Sequence, residues 1–270
     1  MWLQALPDSE HTVIGDVDFC RAFKFRFGLP QCQPRTLCKL TKVADNEPCG
    51  AVMTPTAAHA VSCRAGQGVL RLHDMVKQVV FNAMRAAGFF VRKEVVVPEW
   101  AEWVDGRTSR RRRRSQSRSE TEHEPPVERR LVEAILDVEG IKLVDGARIY
   151  CDATVRNPGA LRYLRVAAGT DSAATVNGYA CTVAAQDKEK RYPRKAGLEV
   201  VTCAVEMWGR IGDGIDLWLQ DMHQKADQHA TARGIPALNW SRSWRSTLSC
   251  GMARGVARSI AEALGSPAMQ

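Results

Sequence analysis

Apolar positions recur along the chain at two periods, and those periods lay out its elements. Between Leu70 and Ala87, residues Leu72, Met75, Val76, Val79, Val80, Ala83 and Met84 repeat at helical spacing, which predicts an amphipathic helix with one buried stripe. Gly88 is a natural stop. Phe89–Val97 then reads as a β-branched strand ended by Pro98. Leu131–Val138 and Ala147–Val155 read as two strands of a hairpin joined around Asp145-Gly146. A helix is predicted through Ala180–Tyr192, a buried strand over Glu199–Val205 that ends at Glu206, a helix over Ile215–Ala232 and a closing amphipathic helix over Trp244–Leu264. Near the start, Phe23, Phe25 and Phe27 alternate with Lys24 and Arg26, the period of a short half-buried strand, before Gly28-Leu29-Pro30 breaks it. The order helix, strand, strand, strand, helix, strand, helix predicts an α/β sandwich on a small mixed sheet. No internal repeat is visible.

Two stretches fall outside this patterning. Residues 36–66 are rich in Cys, Pro, Gly and Thr with little periodicity, as expected of a small metal-stapled module. Residues 105–130 are Arg, Ser and Glu followed by Pro125-Pro126, too poor in apolar groups to fold alone. They are read as an exposed loop inserted into a domain spanning 67–265. Residues 1–35 are read as the tail of an upstream module.

Composition narrows the class. A hydrophobic share of 45% over 270 residues is enough for a substantial core. No apolar run approaches the roughly 18–20 residues of a membrane span, and the N-terminus lacks a basic start followed by an apolar stretch. The expectation is an intracellular protein without membrane association. Net charge is +8, with much of the excess in the consecutive Arg110, Arg111, Arg112, Arg113 and Arg114. Such a run favours a polyanionic partner, above all DNA or RNA, and a nuclear location. Nine cysteines, an odd number without a secretory signal, argue against a disulfide framework. Five of them precede residue 64, the clustering that a metal site gives.

Cys49, His59 and Cys63 form C-x9-H-x3-C, a spacing that lets a His nitrogen and a Cys sulfur meet one ion across a helical turn. Zinc takes four such ligands; Cys38 is the expected fourth, with Cys32 as its substitute. Asp152, within IYCDATV, places a carboxylate on a core strand, where it is costly unless paired or metal-bound. Glu133 and Asp137 lie an even number of residues apart on the preceding strand, so both face one side and either can pair with Asp152. Lys188 and Tyr192, four apart in KEKRY, share a helix face. Glu206 follows an apolar run as a metal ligand, a lysine partner or a fold-stabilising acid. His73 sits early in the first long helix, as a nucleic-acid contact or a packed residue. Acids plus a lysine are the raw parts of a phosphodiesterase using Mg²⁺ or Mn²⁺.

In this order these segments resemble the C-terminal region of site-specific non-LTR retrotransposon polyproteins. There a Cys-Cys-His-Cys zinc knuckle precedes a restriction-enzyme-like endonuclease domain. CGAVMTPTAAHAVSC looks like the knuckle, RLHDMVKQVV like the family's Arg-His-Asn helix, ARIYCDATV like its Asp-bearing strand and KEKRY like its K-x-x-x-Y. VTCAVEMWGRIG looks like the strand with Glu-Thr-x-Gly, Met207 replacing Thr, and LSCGMARGVAR like the closing helix. The family's Pro-Asp is absent; Glu133 takes the register of its Asp, while Asp137 gives the closer spacing to Asp152. The resemblance implies a restriction-endonuclease-like fold and Mg²⁺-dependent nicking of DNA. Glu133 or Asp137 would act with Asp152 on the ion, and Lys188, Tyr192 and Glu206 nearby. It also implies structural zinc and a reverse transcriptase encoded elsewhere as partner. A degenerate descendant, a non-catalytic nucleic-acid-binding module of the same fold and a protein-interaction scaffold built on the Arg-Ser tract are the competing readings.

Overall fold

The computed structural model describes residues 2–5, 9–105, 129–164, 170–232 and 239–266. The chain opens with helix α1 (Asp16–Arg26), followed by the Cys-rich segment ending in the short α2 (Ala58–Ser62), then α3 (Gly68–Ala86). Strand β1 (Phe89–Val96), a 3₁₀ turn at Pro98–Trp100 and β2 (Glu102–Asp105) come next. After them come β3 (Arg129–Val132), β4 (Ile135–Lys142), β5 (Arg148–Arg156) and the one-turn α4 (Leu161–Leu164). Helix α5 (Tyr179–Arg191), β6 (Glu199–Glu206), α6 (Asp213–Ala232) and α7 (Trp240–Leu264) complete the order.

The main sheet runs β1-β4-β5-β6, with β5 and β6 parallel and the other neighbours antiparallel, so the protein is mixed α/β on a small mixed sheet. Successive strand residues point to opposite faces, and β5 shows the consequence. Ile149, Cys151, Ala153 and Val155 join a core shared with α3, α6 and α7. Tyr150 turns the other way, to Trp100 and Tyr192, and on β6 Ala204 meets Cys181 and Ala184 of α5. Strand β5 is therefore covered on both sides, which explains its nearly unbroken apolar sequence. Helix α7 is largely buried from Leu248 onward, and Gly251 and Gly255 let Met75 and Leu72 of α3 approach its backbone.

Two expected elements differ. The Phe23–Phe27 segment is helical, not extended: Phe19, Phe23 and Phe27 stack at i, i+4 spacing along α1. Three alternating residues were too short a window to separate the two periods. The expected strand 131–138 is broken at Glu133-Ala134. Its first part, β3, pairs with β2 in a separate ribbon, and only β4 forms the hairpin with β5 around Asp145-Gly146. The Cys-rich segment also has no core of its own, because Cys38, Leu40, Met53, Val61 and Cys63 are continuous with the main core. Among the described residues no helix is long and apolar enough to cross a membrane.

Candidate functional site

The β4–β5 ladder runs from Ile141↔Arg148 to Val138↔Cys151. Beyond it the Asp137 carboxylate takes the place of a backbone acceptor: Ala153 N–H donates to Asp137 Oδ2 at 2.7 Å. This brings Asp137 beside Asp152, close enough for the two carboxyls to act on each other. Helix α3 supplies His73, whose Nε2 lies 3.2 Å from Asp137 Oδ2. Helix α5, on the opposite face, supplies Lys188, whose Nζ lies 2.5 Å from Asp152 Oδ2. Tyr192, just past the end of α5, lies near the same carboxylate, whose charge acts on its hydroxyl. Five side chains from two strands and two helices thus meet where β4 and β5 part.

Burial and mutual repulsion set the electrostatics. Asp152 is 4% exposed, and desolvation pushes its carboxyl up to about 6 despite Lys188, with Asp137 adding to the rise. Burial also acts to raise Asp137, but His73, the hydrogen bond from Asp152 and the Ala153 amide together hold it below the usual carboxylate range. The bond to Asp137 raises His73 against the opposing effect of burial. Desolvation lifts Tyr192 to about 12, helped by the Asp152 charge, so it remains a donor. Burial and mutual repulsion thus push the two acids apart, one favouring its proton and the other its charge, the pattern of a candidate functional site.

The other predicted residues lie elsewhere. Glu133 is exposed in the bend between β3 and β4, with no hydrogen bond or ion pair among the described residues, so the sheet brings Asp137 to Asp152 instead. The reason is the chain break: Glu133 belongs to neither strand of the hairpin. Glu206 is buried at the far end of β6, opposite Arg156 in a register where Asp152 lies opposite Thr202. Four residues of strand separate it from the cluster by about 13 Å. Desolvation raises its carboxyl, opposed by Arg210 and the Ala180 amide at the start of α5, which fits a fold-stabilising acid. Of the expected nucleic-acid contacts, His73 is turned to Asp137. The others, Arg110, Arg111, Arg112, Arg113 and Arg114, lie outside the described residues. Sequence reading missed Glu139, fully buried on β4 and bonded by Arg92 Nε at 2.7 Å, with Arg148 Nη1 at 3.5 Å. Its two-residue spacing from Asp137 was the available signal.

Ahead of the N-terminal end of α3, Cys38, Cys49, His59 and Cys63 place their ligand atoms within 4.8 Å of one another. Cys49 N–H donates to Leu40 O and Cys38 N–H to Ala51 O, closing a tight turn at Gly50, whose φ of 66° suits glycine. Helix α2 carries His59 and leads into Cys63 one turn later, so Cys49 Sγ sits 3.4 Å from His59 Nε2 and Cys38 Sγ 3.9 Å from Cys63 Sγ. Burial pushes the Cys38 thiol up to about 12, whereas the Ala51 amide lowers Cys49. Three sulfurs and an imidazole converging on one point can hold a metal such as zinc. Cys32 stands apart, its thiol turned to Thr54 O at 3.4 Å.

No family model matches this sequence, and no curated protein matches it either.

Proposed function

We propose that the protein is a metal-dependent DNA endonuclease with a restriction-endonuclease-like fold and a zinc knuckle, related to the endonuclease region of non-LTR retrotransposons. The observation that carries this reading is the meeting of Asp137, Asp152 and Lys188 at the parting of β4 and β5. The residues fit a hard divalent cation: two carboxylates stand side by side, and desolvation pushes the more buried one up to about 6 despite Lys188. Asp137 and Asp152 would hold Mg²⁺ or Mn²⁺, which supplies Lewis acidity at a phosphoryl oxygen and lowers the pKa of bound water.

The chain's own groups do the rest. Lys188, paired with Asp152 at 2.5 Å, would present its ammonium to the phosphate and stabilise the charge developing there. Tyr192, held protonated, keeps an uncharged hydroxyl near Asp152. His73 and the Ala153 amide fix the orientation of Asp137. Residues Cys38, Cys49, His59 and Cys63 would hold zinc as a brace for the N-terminal end of α3. The basic run Arg110, Arg111, Arg112, Arg113 and Arg114 would add salt-dependent affinity for DNA or RNA in a nuclear setting. A reverse transcriptase supplied by another chain is the proposed functional partner.

Single-turnover nicking of end-labelled duplex DNA tests the reading. Lys188→Ala is expected to slow cleavage by about 10²–10³-fold, with duplex affinity little changed. Equal rates for the two proteins would remove Lys188, and with it the chemistry proposed for this cluster.

A further inference from the structure

Beside the carboxylate cluster a cleft of about 990 Å³ opens along the outer edge of β6. Its walls are the second half of α5, the 193–198 connection and the first turns of α6, and Lys188 lies on its inner wall. Helices α5 and α6 pack on opposite faces of β6, through Ala204 and Cys203 respectively, so the cleft straddles a single strand edge. Among the described residues no strand pairs with that edge, which the turn through Arg210, Ile211 and Gly212 bridges only at Ala204, Val205 and Glu206.

The sheet's two edges differ. The β1 edge carries Arg92, Lys93 and Glu94, and Glu94 has a φ of 54°, devices that discourage a further strand or ligand. The β6 edge carries Val200, Val201 and Thr202 and faces the cleft. Around the cleft stand Arg148, Lys188, Arg194 and Lys195, against Glu189 and Glu199. Arg194 is 94% exposed, and its one ion pair among the described residues is a 3.7 Å contact with the exposed Glu189. Lys190 and Arg191 extend the basic run on α5. Trp100 and Tyr192 form the floor but are nearly buried, and Lys195 and Lys188 already lie over their rings. The cleft thus offers cations and backbone groups and no open aromatic face.

We propose that this cleft holds one unpaired strand of nucleic acid leading to or from the Asp137–Asp152 cluster, gripped by its phosphates on Arg194 and Lys195. The inference deepens the endonuclease reading and rests on it for the strand's destination. A single strand suits an opening confined between two helices on either side of one β-strand; a duplex would require them to move apart. With no ring free for stacking, recognition is by phosphate and independent of base sequence.

The test uses the whole protein without added Mg²⁺ or Mn²⁺ and follows anisotropy of a labelled 20-nucleotide oligo-dT over a salt series. The double variant Arg194→Gln/Lys195→Gln is compared with a distant control, Lys225→Gln/Arg258→Gln. The proposal expects about tenfold weaker binding in the first variant only. Its slope of log affinity against log salt should be shallower by about 1.4, the release of two charges from a single strand. It also expects hydrogen-exchange protection at residues 199–203 when oligo-dT binds. Equal losses in both variants, no binding of oligo-dT, or no protection at 199–203 would overturn it. Poly-glutamate displacing oligo-dT at equal charge would overturn it too, assigning the edge to an acidic peptide. Oligo-dT binding with this pattern but no nicking activity would leave the cleft in place and remove the endonuclease reading.

Discussion

Asp137 and Asp152 are close enough to compete for one proton, and that competition is what a cation would relieve. Burial, with Asp137 alongside, pushes the Asp152 carboxyl up to about 6. Above that pH both carboxylates are charged and an ion binds without expelling a proton. Below it Asp152 is protonated, so binding must release the proton and apparent affinity falls about tenfold per pH unit. Calorimetric titration with Mn²⁺ at pH 7.5 and pH 5.5, in buffers of different ionisation enthalpy, should show proton release only at the lower pH. Identical affinity and no release at both would mean that Asp152 is not a ligand. Asp137→Asn should weaken Mn²⁺ binding by tenfold or more in the same assay, whereas Glu133→Gln should leave it unchanged.

The elements bearing these residues were legible in the sequence to different degrees. Helix α3 was plain because its stripe of Leu72, Val76, Val79, Val80 and Met84 runs along most of its length, and the structure buries all of those positions. Asp152 was legible as a carboxylate in an apolar strand. Its partner was not, because the choice between Glu133 and Asp137 depends on where β3 ends and β4 begins, a break set by pairing with β2. The His73–Asp137 contact was equally hidden: the two are far apart in sequence, and only the packing of α3 across β4 joins them. Lys188 and Tyr192 were found because a helix puts i and i+4 on one face. Glu206 shows the opposite case, a buried acid whose distance from the cluster follows from the β6 register alone. The turn after it holds Gly209 at φ 80°, where a Cβ would press on Ser249 O at 3.2 Å. Gly209→Ala is therefore expected to destabilise the fold by about 1–3 kcal/mol in urea unfolding; an unchanged midpoint would show that the turn relaxes freely.

On the scale of the whole molecule, one core ties the Cys/His cluster to the sheet. Cys38 and Cys63 belong to the same buried set as Val76 of α3 and Val138 of β4, and Lys39 N–H donates to Ala263 O near the end of α7. Loss of a bound metal should therefore unfold more than a knuckle. Cys63→Ser, or chelation, is expected to cost several kcal/mol and lower the melting temperature by about 10 °C in one transition. Two separate transitions would instead make residues 36–66 an autonomous module. The charge of +8 acts on the same scale. Neutralising all of Arg110, Arg111, Arg112, Arg113 and Arg114 should flatten the salt dependence of duplex binding by up to about 4.5 in the log–log slope if every one contacts a phosphate. The carboxylate cluster's metal binding should stay intact in that variant.

The central claim is that Asp137 and Asp152 cut DNA together with a divalent cation. Nicking of supercoiled plasmid with Mg²⁺ or Mn²⁺, by wild type beside Asp152→Ala and Glu133→Ala, tests it most directly. The account predicts nicking by the wild type and Glu133→Ala proteins and none by Asp152→Ala, with the plasmid still retarded on a gel. Nicking that survives Asp152→Ala, or plasmid binding without nicking by any of the three, would contradict it.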